Sequence, residues 1–386
     1  MMKGAMSLLK LLRESMKKIK FNKTELTVFI CMIALCIFGC IMVYSASCYS
    51  SQKNFDNQWY FLVKQIIGVL IGLCGFVFFL FFDYKKLKKF KWLMFAVSVV
   101  LLVLVFIPGI GISNYGARRW IGFFGFSFQP SEIAKFSLVL FCACHFAKNK
   151  NTAKSFKIML LPLMIGAVFC LLVILEPNMS ITMCLAIVMV CMMFFGGTNL
   201  KYFVILGCFA LIMVPVLIII EPYRLQRLMA FLDPWASPQG EGFQLIQSLY
   251  SLGNGGLFGV GLFSSRQKYL YLPFAESDFI FSIICEELGF FGASIIVIIF
   301  AVLVGALIKI SLNSKDRFAS LLVAGIACVI SVQVILNIAV VTGSIPPTGL
   351  PLPFISAGST SLMVFMSAIG VCLNVNRKSK INQFTL

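Results

Sequence analysis

The chain has 386 residues, 60% of them hydrophobic and only 12% charged, with a mean hydropathy of +0.98 and a formal net charge of +18. Such a composition excludes an ordinary soluble globular protein and leaves an integral membrane protein. The positive charge does not indicate a nucleic-acid binder, because no basic face interleaves with aromatics on a soluble fold.

A helix needs about 20 predominantly apolar residues to cross a bilayer. The sequence offers ten such stretches, at about 26–46, 60–82, 93–109, 132–147, 158–175, 179–197, 202–220, 279–308, 318–341 and 358–375. Their continuity, without period-two alternation, excludes a transmembrane barrel. The expected fold is therefore an all-α integral membrane protein of about ten transmembrane helices. A long extracytoplasmic loop at 221–277 separates the seventh from the eighth, within a polytopic domain spanning 26–375. Residues 1–25 and 376–386 are the flanking tails. Twenty-three of the 32 Lys and Arg fall in these tails or on alternate connections, such as Lys85–Lys91 and Lys148–Lys157. The positive-inside rule makes that side, with both termini, cytoplasmic. Leu26 to Ser47 reads as a full span rather than a cleaved signal. The 14 Cys lie almost entirely within apolar runs, with no CxxC pair and His145 as the single His, so neither disulfides nor a zinc site is expected.

The outer connections hold the residues with chemical potential. Arg118, Arg119 and Trp120 precede Gln129-Pro130-Ser131-Glu132 and Lys135. Pro130 suits the first turn of a helix, with Ser131 or Gln129 as its cap, and Glu132 and Lys135 then stack at i, i+3 just inside the bilayer. They make a structural ion pair or, with Arg118 and Arg119, the wall of an anionic cavity, since guanidinium forks match phosphate geometry.

The 221–277 segment is too long for a simple connection. Arg224 and Arg227 open it and Lys268 lies near its end; these cations either keep the loop soluble or meet a diphosphate. Asp233-Pro234-Trp235 predicts a turn. Phe243 to Leu252, which includes Gln244, has apolar residues at helical spacing and predicts an amphipathic helix on the outer surface. Gly253 to Gly261 predicts a hinge where backbone closely approaches a ligand.

Asp278 stands where this segment runs back into a hydrophobic stretch. A carboxylate at that boundary is costly, and it is either stabilised by a helix dipole or poised as a base in a dry cavity. Glu286 and Glu287 follow more than two turns later, suited to acid–base work or to internal hydrogen bonding. Gln333 and Asn337 share one face of the ninth span. The Pro-rich stretch from Thr342 to Ser361, which contains Ser356, predicts non-helical backbone that is buried in protein or lines a wet cavity.

As a set, these residues resemble the SEDS family (shape, elongation, division and sporulation), whose members include FtsW, RodA and SpoVE, over nearly the whole chain. The likeness is carried, in the family's order, by Gly116-x-Arg118-Arg119-Trp120, Gln129-Pro130-Ser131-Glu132-x-x-Lys135, Tyr223-Arg224-x-x-Arg227 and Asp233-Pro234-Trp235, then by Gly242-x-Gln244, Asp278-Phe279-Ile280-Phe281, Glu286-Glu287-x-Gly289 and Pro347-Thr348-Gly349 through Ser356. The stretches from Ser264 to Lys268 and from Thr348 to Phe354 are more similar to the FtsW and SpoVE branch than to RodA. Three departures stand out. Pro177-Asn178 replaces a common Pro-Asp, Phe274 follows Pro273 where Glu is usual, and Ser356-Ala357-Gly358-Ser359-Thr360-Ser361 replaces Ser-Tyr-Gly-Gly-Ser-Ser.

The resemblance implies a peptidoglycan glycosyltransferase that polymerises lipid II at the outer face of the bacterial cytoplasmic membrane, in division or sporulation. Asp278 is then the general base that activates the acceptor hydroxyl, with inversion at the donor's anomeric carbon. Arg118, Arg119, Arg224, Arg227 and Lys268, with Gln244, would bind the substrate and its departing diphosphate, with a divalent cation (Mg or Mn) bridging its oxygens. Glu132, Lys135, Glu286, Glu287, Gln333, Asn337 and Ser356 would be structural or line the cavity. The implied partners are lipid II, an undecaprenyl-diphosphate-linked glycan strand, a class B penicillin-binding transpeptidase and other division or sporulation membrane proteins, with no nucleic acid. Two rival readings are a lipid II flippase and a non-catalytic scaffold for the transpeptidase.

Overall fold

The computed structural model describes residues 22–114, 117–123, 126–149, 155–220, 222–347 and 349–384. The N-terminal basic residues up to Lys20, and Gly116, Lys150, Lys154, Glu221 and Thr348, lie outside the described residues. All ten apolar stretches form helices. They are α1 (Lys23–Phe55), α2 (Tyr60–Phe81), the membrane-level helix α4 (Lys91–Leu104) that follows the short α3 (Tyr84–Leu87), α5 (Pro130–Lys148), α6 (Phe156–Leu175), α7 (Met179–Gly196) and α8 (Leu200–Ile220), then α11 (Ile280–Asn313), α12 (Arg317–Val341) and α13 (Ser359–Phe384). The long segment between α8 and α11 adds α9 (Pro222–Leu232) and α10 (Phe243–Gly255).

Eight of these helices are long and apolar enough to cross a membrane, which makes the chain a multi-span membrane protein. The other two fall short for identifiable reasons. The α4 helix has 14 residues and reaches only about 21 Å, because Pro108 and Gly109 follow its end. The α5 helix carries Glu132 and Lys135 in its first turns. Helix ends follow local chemistry elsewhere too. Asn22 and Glu25 form a capping box that starts α1.

The fold is helical as expected, with one small addition: Gly111–Asn114, Ala117–Phe123 and Phe126–Phe128 form an antiparallel sheet, β1-β2-β3. The aromatic and β-branched residues Ile112, Trp120, Ile121 and Phe128 suit a pleated surface, and the pairing Ile112↔Trp120 joins two of them. The Thr360 hydroxyl donates to the Ser127 carbonyl (3.2 Å), tying this sheet to the start of α13.

Inside the bundle, helices approach closely where side chains are small. A β-carbon on Gly370 of α13 would sit 2.4 Å from the Phe76 carbonyl oxygen of α2, and one on Gly72 would sit 2.6 Å from the Met366 sulfur. The α12 helix packs against α5, α7 and α11 and, among the eight candidate spans, is the most enclosed after α13, whereas α8 is exposed along its length. Asn337 bonds the Asp278 carbonyl and lies about 30 Å along α12 from Arg317, so Asp278 and Arg317 mark opposite ends of the bundle.

Candidate functional site

Asp278 lies two residues before α11, in a turn held from three sides. The Asn337 side-chain amide on α12 donates to the Asp278 carbonyl (2.9 Å) and to the Leu350 carbonyl (2.7 Å). The Ser356 hydroxyl donates to the Ser277 carbonyl (2.6 Å) and accepts from the Leu352 amide (2.7 Å), and the Ala357 amide donates to the Glu276 carbonyl (2.9 Å). The Pro-rich strand of chain between α12 and α13 is thus bound to residues 276–278 along its length. The Gly349 amide donates to the Ser180 hydroxyl of α7 (2.9 Å), and a β-carbon at Gly349 would lie 2.7 Å from Oδ2 of Asp278. A side chain at this position would therefore push the carboxylate aside.

A buried polar chain supports that strand from below. Lys135 pairs with Glu132 (2.9 Å), both side chains being 0% exposed, and its ammonium also donates to the Gln333 carbonyl oxygen, whose amide in turn donates to the Pro351 carbonyl (2.7 Å). Gln333, Asn337 and Ser356 thus donate to backbone carbonyls, while Glu132 and Lys135 form an internal pair bonded to Gln333.

The Asp278 carboxylate is half-buried. Desolvation raises its pKa from 3.8 to about 6; Arg119 pulls it down, Glu276 raises it and Arg227 again pulls it down. The Glu276 carboxyl is also raised, by burial. Arg119 sits in β2 at the register shift, between Arg118 paired with Ser113 and Trp120 paired with Ile112; Arg118 is exposed and Arg119 half-buried. Arg119 donates to the backbone carbonyls of Glu176 (3.4 Å) and Pro177. Arg227, on α9, donates to the Pro347 carbonyl (3.3 Å) and pairs with Glu241 (3.5 Å). Two guanidiniums from distant parts of the sequence thus act electrostatically on one carboxylate.

The remaining predicted cations are placed differently. Lys268 is 3% exposed and its ammonium is occupied by Glu287 (3.1 Å), Ser45 (3.3 Å) and the Phe263 carbonyl (2.6 Å). Arg118 is exposed on the sheet, and Arg224 is half-buried on α9. Gln244 lies half-buried on α10, with no side-chain hydrogen bond among the described residues.

Glu286 and Glu287 serve internal hydrogen bonding. Glu286 accepts from the Ser265 hydroxyl and from the amides of Arg266 (3.1 Å) and Gln267 (3.4 Å); Glu287 accepts from the Ser45 hydroxyl (2.6 Å) and the Ser265 amide (3.3 Å). The Gly-rich segment packs closely against α11. Gly289, at φ 66° and ψ −169°, breaks the helix there, and the amides of Val260, Gly261, Phe290 and Phe291 bond across the break. A neighbouring cavity of about 360 Å³ is lined by Asn254, Val260, Ser264, Arg266 and Glu286.

Sequence reasoning missed Ser180, Gly349, Glu176 and Glu276. Ser180 and Glu176 flank the departure at Asn178, which is itself explained: its side chain accepts from the Ile181 amide (3.2 Å) and caps α7, a role an amide fills as well as a carboxylate. Glu176 is 1% exposed, and burial pushes its carboxyl up to about 8 despite Arg119. Phe274, the second departure, adopts φ 58°, and its carbonyl accepts from Ser277 (3.1 Å) and Phe279 (3.3 Å), closing the turn that presents Asp278. In the third, Thr360 anchors the sheet.

Residues 25–381 match the family of cell cycle proteins that comprises FtsW, RodA and SpoVE. Stage V sporulation protein E of Bacillus subtilis is 40% identical over 94% of this chain and 99% of its own length. A probable peptidoglycan glycosyltransferase FtsW of Trichlorobacter lovleyi is 38% identical over 96% of this chain and 97% of its own. Among solved structures, a chain from a peptidoglycan synthase complex, studied for its structural coordination of polymerization and crosslinking, superposes with a TM-score of 0.76 at 25% identity, covering 94% of this chain and 99% of that one. The rod shape determining protein RodA of Thermus thermophilus shares the fold at a TM-score of 0.69 and 22% identity, over 94% and 98% of the two chains.

Proposed function

The chain belongs to the FtsW, RodA and SpoVE family of cell cycle proteins, and from that premise we propose that it is a peptidoglycan glycosyltransferase that polymerises lipid II. The observation that carries the reading is the half-buried Asp278 carboxylate, raised to about 6 between Arg119 and Arg227. A base with a pKa near the working pH is efficient because it is largely ionised yet still holds a proton well. Asp278 takes the proton from the acceptor sugar hydroxyl as that oxygen attacks the anomeric carbon of the lipid-linked strand. The C–O bond to the diphosphate breaks on the opposite face, so the configuration inverts, and the undecaprenyl diphosphate leaves with the bonding pair. Arg119 and Arg227, which already offset part of the charge at Asp278, meet the developing anion. The remaining predicted cations are further from this role, with Arg118 and Arg224 suited to guiding the diphosphate on approach and Lys268 to holding loop 263–268.

Among the described residues no cluster of three or more His, Cys, Asp or Glu could cage a metal. A Mg²⁺ or Mn²⁺ ion of the kind held by one or two carboxylates together with substrate phosphates would be held here by Glu276 and the diphosphate, leaving Asp278 free as the base, and would supply charge neutralisation of the diphosphate. Topology supports an extracytoplasmic site: the Asp278 end is remote from the Lys- and Arg-rich end, which we assign with both termini to the cytoplasm of a bacterial cell. A class B penicillin-binding transpeptidase is the proposed partner, alongside other division or sporulation membrane proteins.

Purified full-length protein incubated with lipid II and analysed for glycan strands tests the reading. Strands are expected from the wild type and not from Asp278→Asn. Equal synthesis by the variant removes the base assignment. Labelled lipid II crossing vesicles without polymer would make the protein a flippase, and strands formed only by an added transpeptidase partner would make it a scaffold.

A further inference from the structure

At the end of the bundle opposite Asp278, the start of α4, the end of α5 and the start of α12 enclose a cavity of about 310 Å³. Four cations line it, Lys88, Lys91, Lys148 and Arg317, against one carboxylate, Asp316. That carboxylate is already occupied, since it caps α12 through the Phe318 amide (3.1 Å), accepts the Tyr84 hydroxyl (3.3 Å) and pairs with Lys88 (3.4 Å). Arg317 donates to the Gly196 carbonyl at the end of α7 (2.8 Å). Lys91 and Lys148 have no carboxylate partner among the described residues. Lys91 and Arg317 moreover begin their helices, where the dipoles add to the positive potential.

The same corner faces the bilayer. Trp92, next to Lys91, is 50% exposed and leans edge-on against Phe141 (5.0 Å), and Leu93 is 56% exposed. A Trp at this level suits the boundary between headgroups and acyl chains. The walls also include the apolar Ala147 and Phe318 and the thiol of Cys144. We propose that this cavity binds the phosphodiester headgroup of an anionic phospholipid, whose acyl chains lie along the exposed Trp92 and Leu93 face of α4. Uncompensated ammonium groups take the phosphate, and the adjoining lipid-facing surface selects a lipid over a soluble anion.

Native mass spectrometry of the full-length protein, equilibrated with equal amounts of phosphatidylglycerol and phosphatidylcholine of identical acyl chains, reads this out. Phosphatidylglycerol adducts are expected to dominate on the wild type and to fall about 30-fold in Lys91→Gln/Lys148→Gln. Lys91→Arg/Lys148→Arg should retain them. Lys201→Gln/Lys309→Gln, an equal charge change outside the cavity, should leave them unchanged. Should the first pair fail to fold, Lys148→Gln alone, at an exposed position, is expected to lose about fivefold. Undiminished adducts in the Gln variants overturn the proposal, as does equal loss from the control pair, which would mean a general surface potential. Displacement of the adducts by millimolar inorganic phosphate overturns the lipid assignment in favour of a soluble anion.

Discussion

Gly349 stands against Asp278 so closely that a methyl group at the glycine would lie 2.7 Å from the carboxylate oxygen Oδ2. The contact joins a Pro-rich strap to the proposed base across about 70 residues of sequence. Gly349→Ala is expected to leave the bundle folded, because the nearest atom is a side-chain end that can turn aside, but to displace the carboxylate. A displacement of about 1 Å at reacting groups costs up to roughly 100-fold in rate. Strand synthesis per folded protein, with size-exclusion behaviour as the folding control, decides it; unaltered synthesis would place the acceptor elsewhere.

The pH profile follows from the Asp278 carboxyl, raised to about 6. A base must be ionised, so the rate at low substrate should rise with pH and level off above about 6. Arg227 pulls that value down, so Arg227→Gln should move the acid limb to higher pH as well as slow the reaction. A limb that stays in place in the variant would separate Arg227 from the carboxylate electrostatically.

Glu176 makes a prediction about stability. Its carboxyl is raised from 4.5 to about 8, chiefly by burial, so the folded protein holds this proton more tightly than the unfolded chain does. The stabilising contribution is complete below about pH 4.5 and is lost as pH rises towards 8, at no more than about 1.4 kcal/mol per pH unit. The melting temperature of wild type should therefore fall relative to Glu176→Gln between pH 5 and 8. A constant difference would show that the carboxyl is ionised throughout.

Lys135→Met should be strongly destabilising, by about 3 kcal/mol or more, because it strands the Glu132 carboxylate at 0% exposure. Adding Glu132→Gln should recover part of the loss. Thermal unfolding of the single and double variants in one detergent gives the comparison, and additive losses would mean that the two side chains are not coupled.

The helices were legible in the sequence because lipid imposes a long apolar run on each, and all ten stretches form helices. The Phe243–Gly255 surface helix and the Pro130 start of α5 were legible from periodicity and helix-end chemistry. The small sheet was not, since its three strands have only 4, 7 and 3 residues and the register shifts between Ile112 and Ser113. At the site, Asp278 was marked by the cost of a charge at a membrane boundary. Its neighbours were not, because the contacts of Ser180 and Gly349 arise from the packing of α7 beside the strap. Lys268 and Arg227 look equivalent as isolated cations in a long loop; the packing of Ser45 and Glu287 around one, and of Pro347 around the other, gives them different surroundings.

The strap between α12 and α13 is gripped by carbonyl oxygens. Gln333 reaches for Pro351, Asn337 for Leu350 and for Asp278 itself, and each of these acceptors is main chain. The amides on α12 thus recognise a route, blind to the identity of the residues that follow it. Gly349 and Ser356 add constraints of their own, against the Asp278 carboxylate and the Ser277 carbonyl, and loss of either amide would let the whole path drift away from that carboxylate.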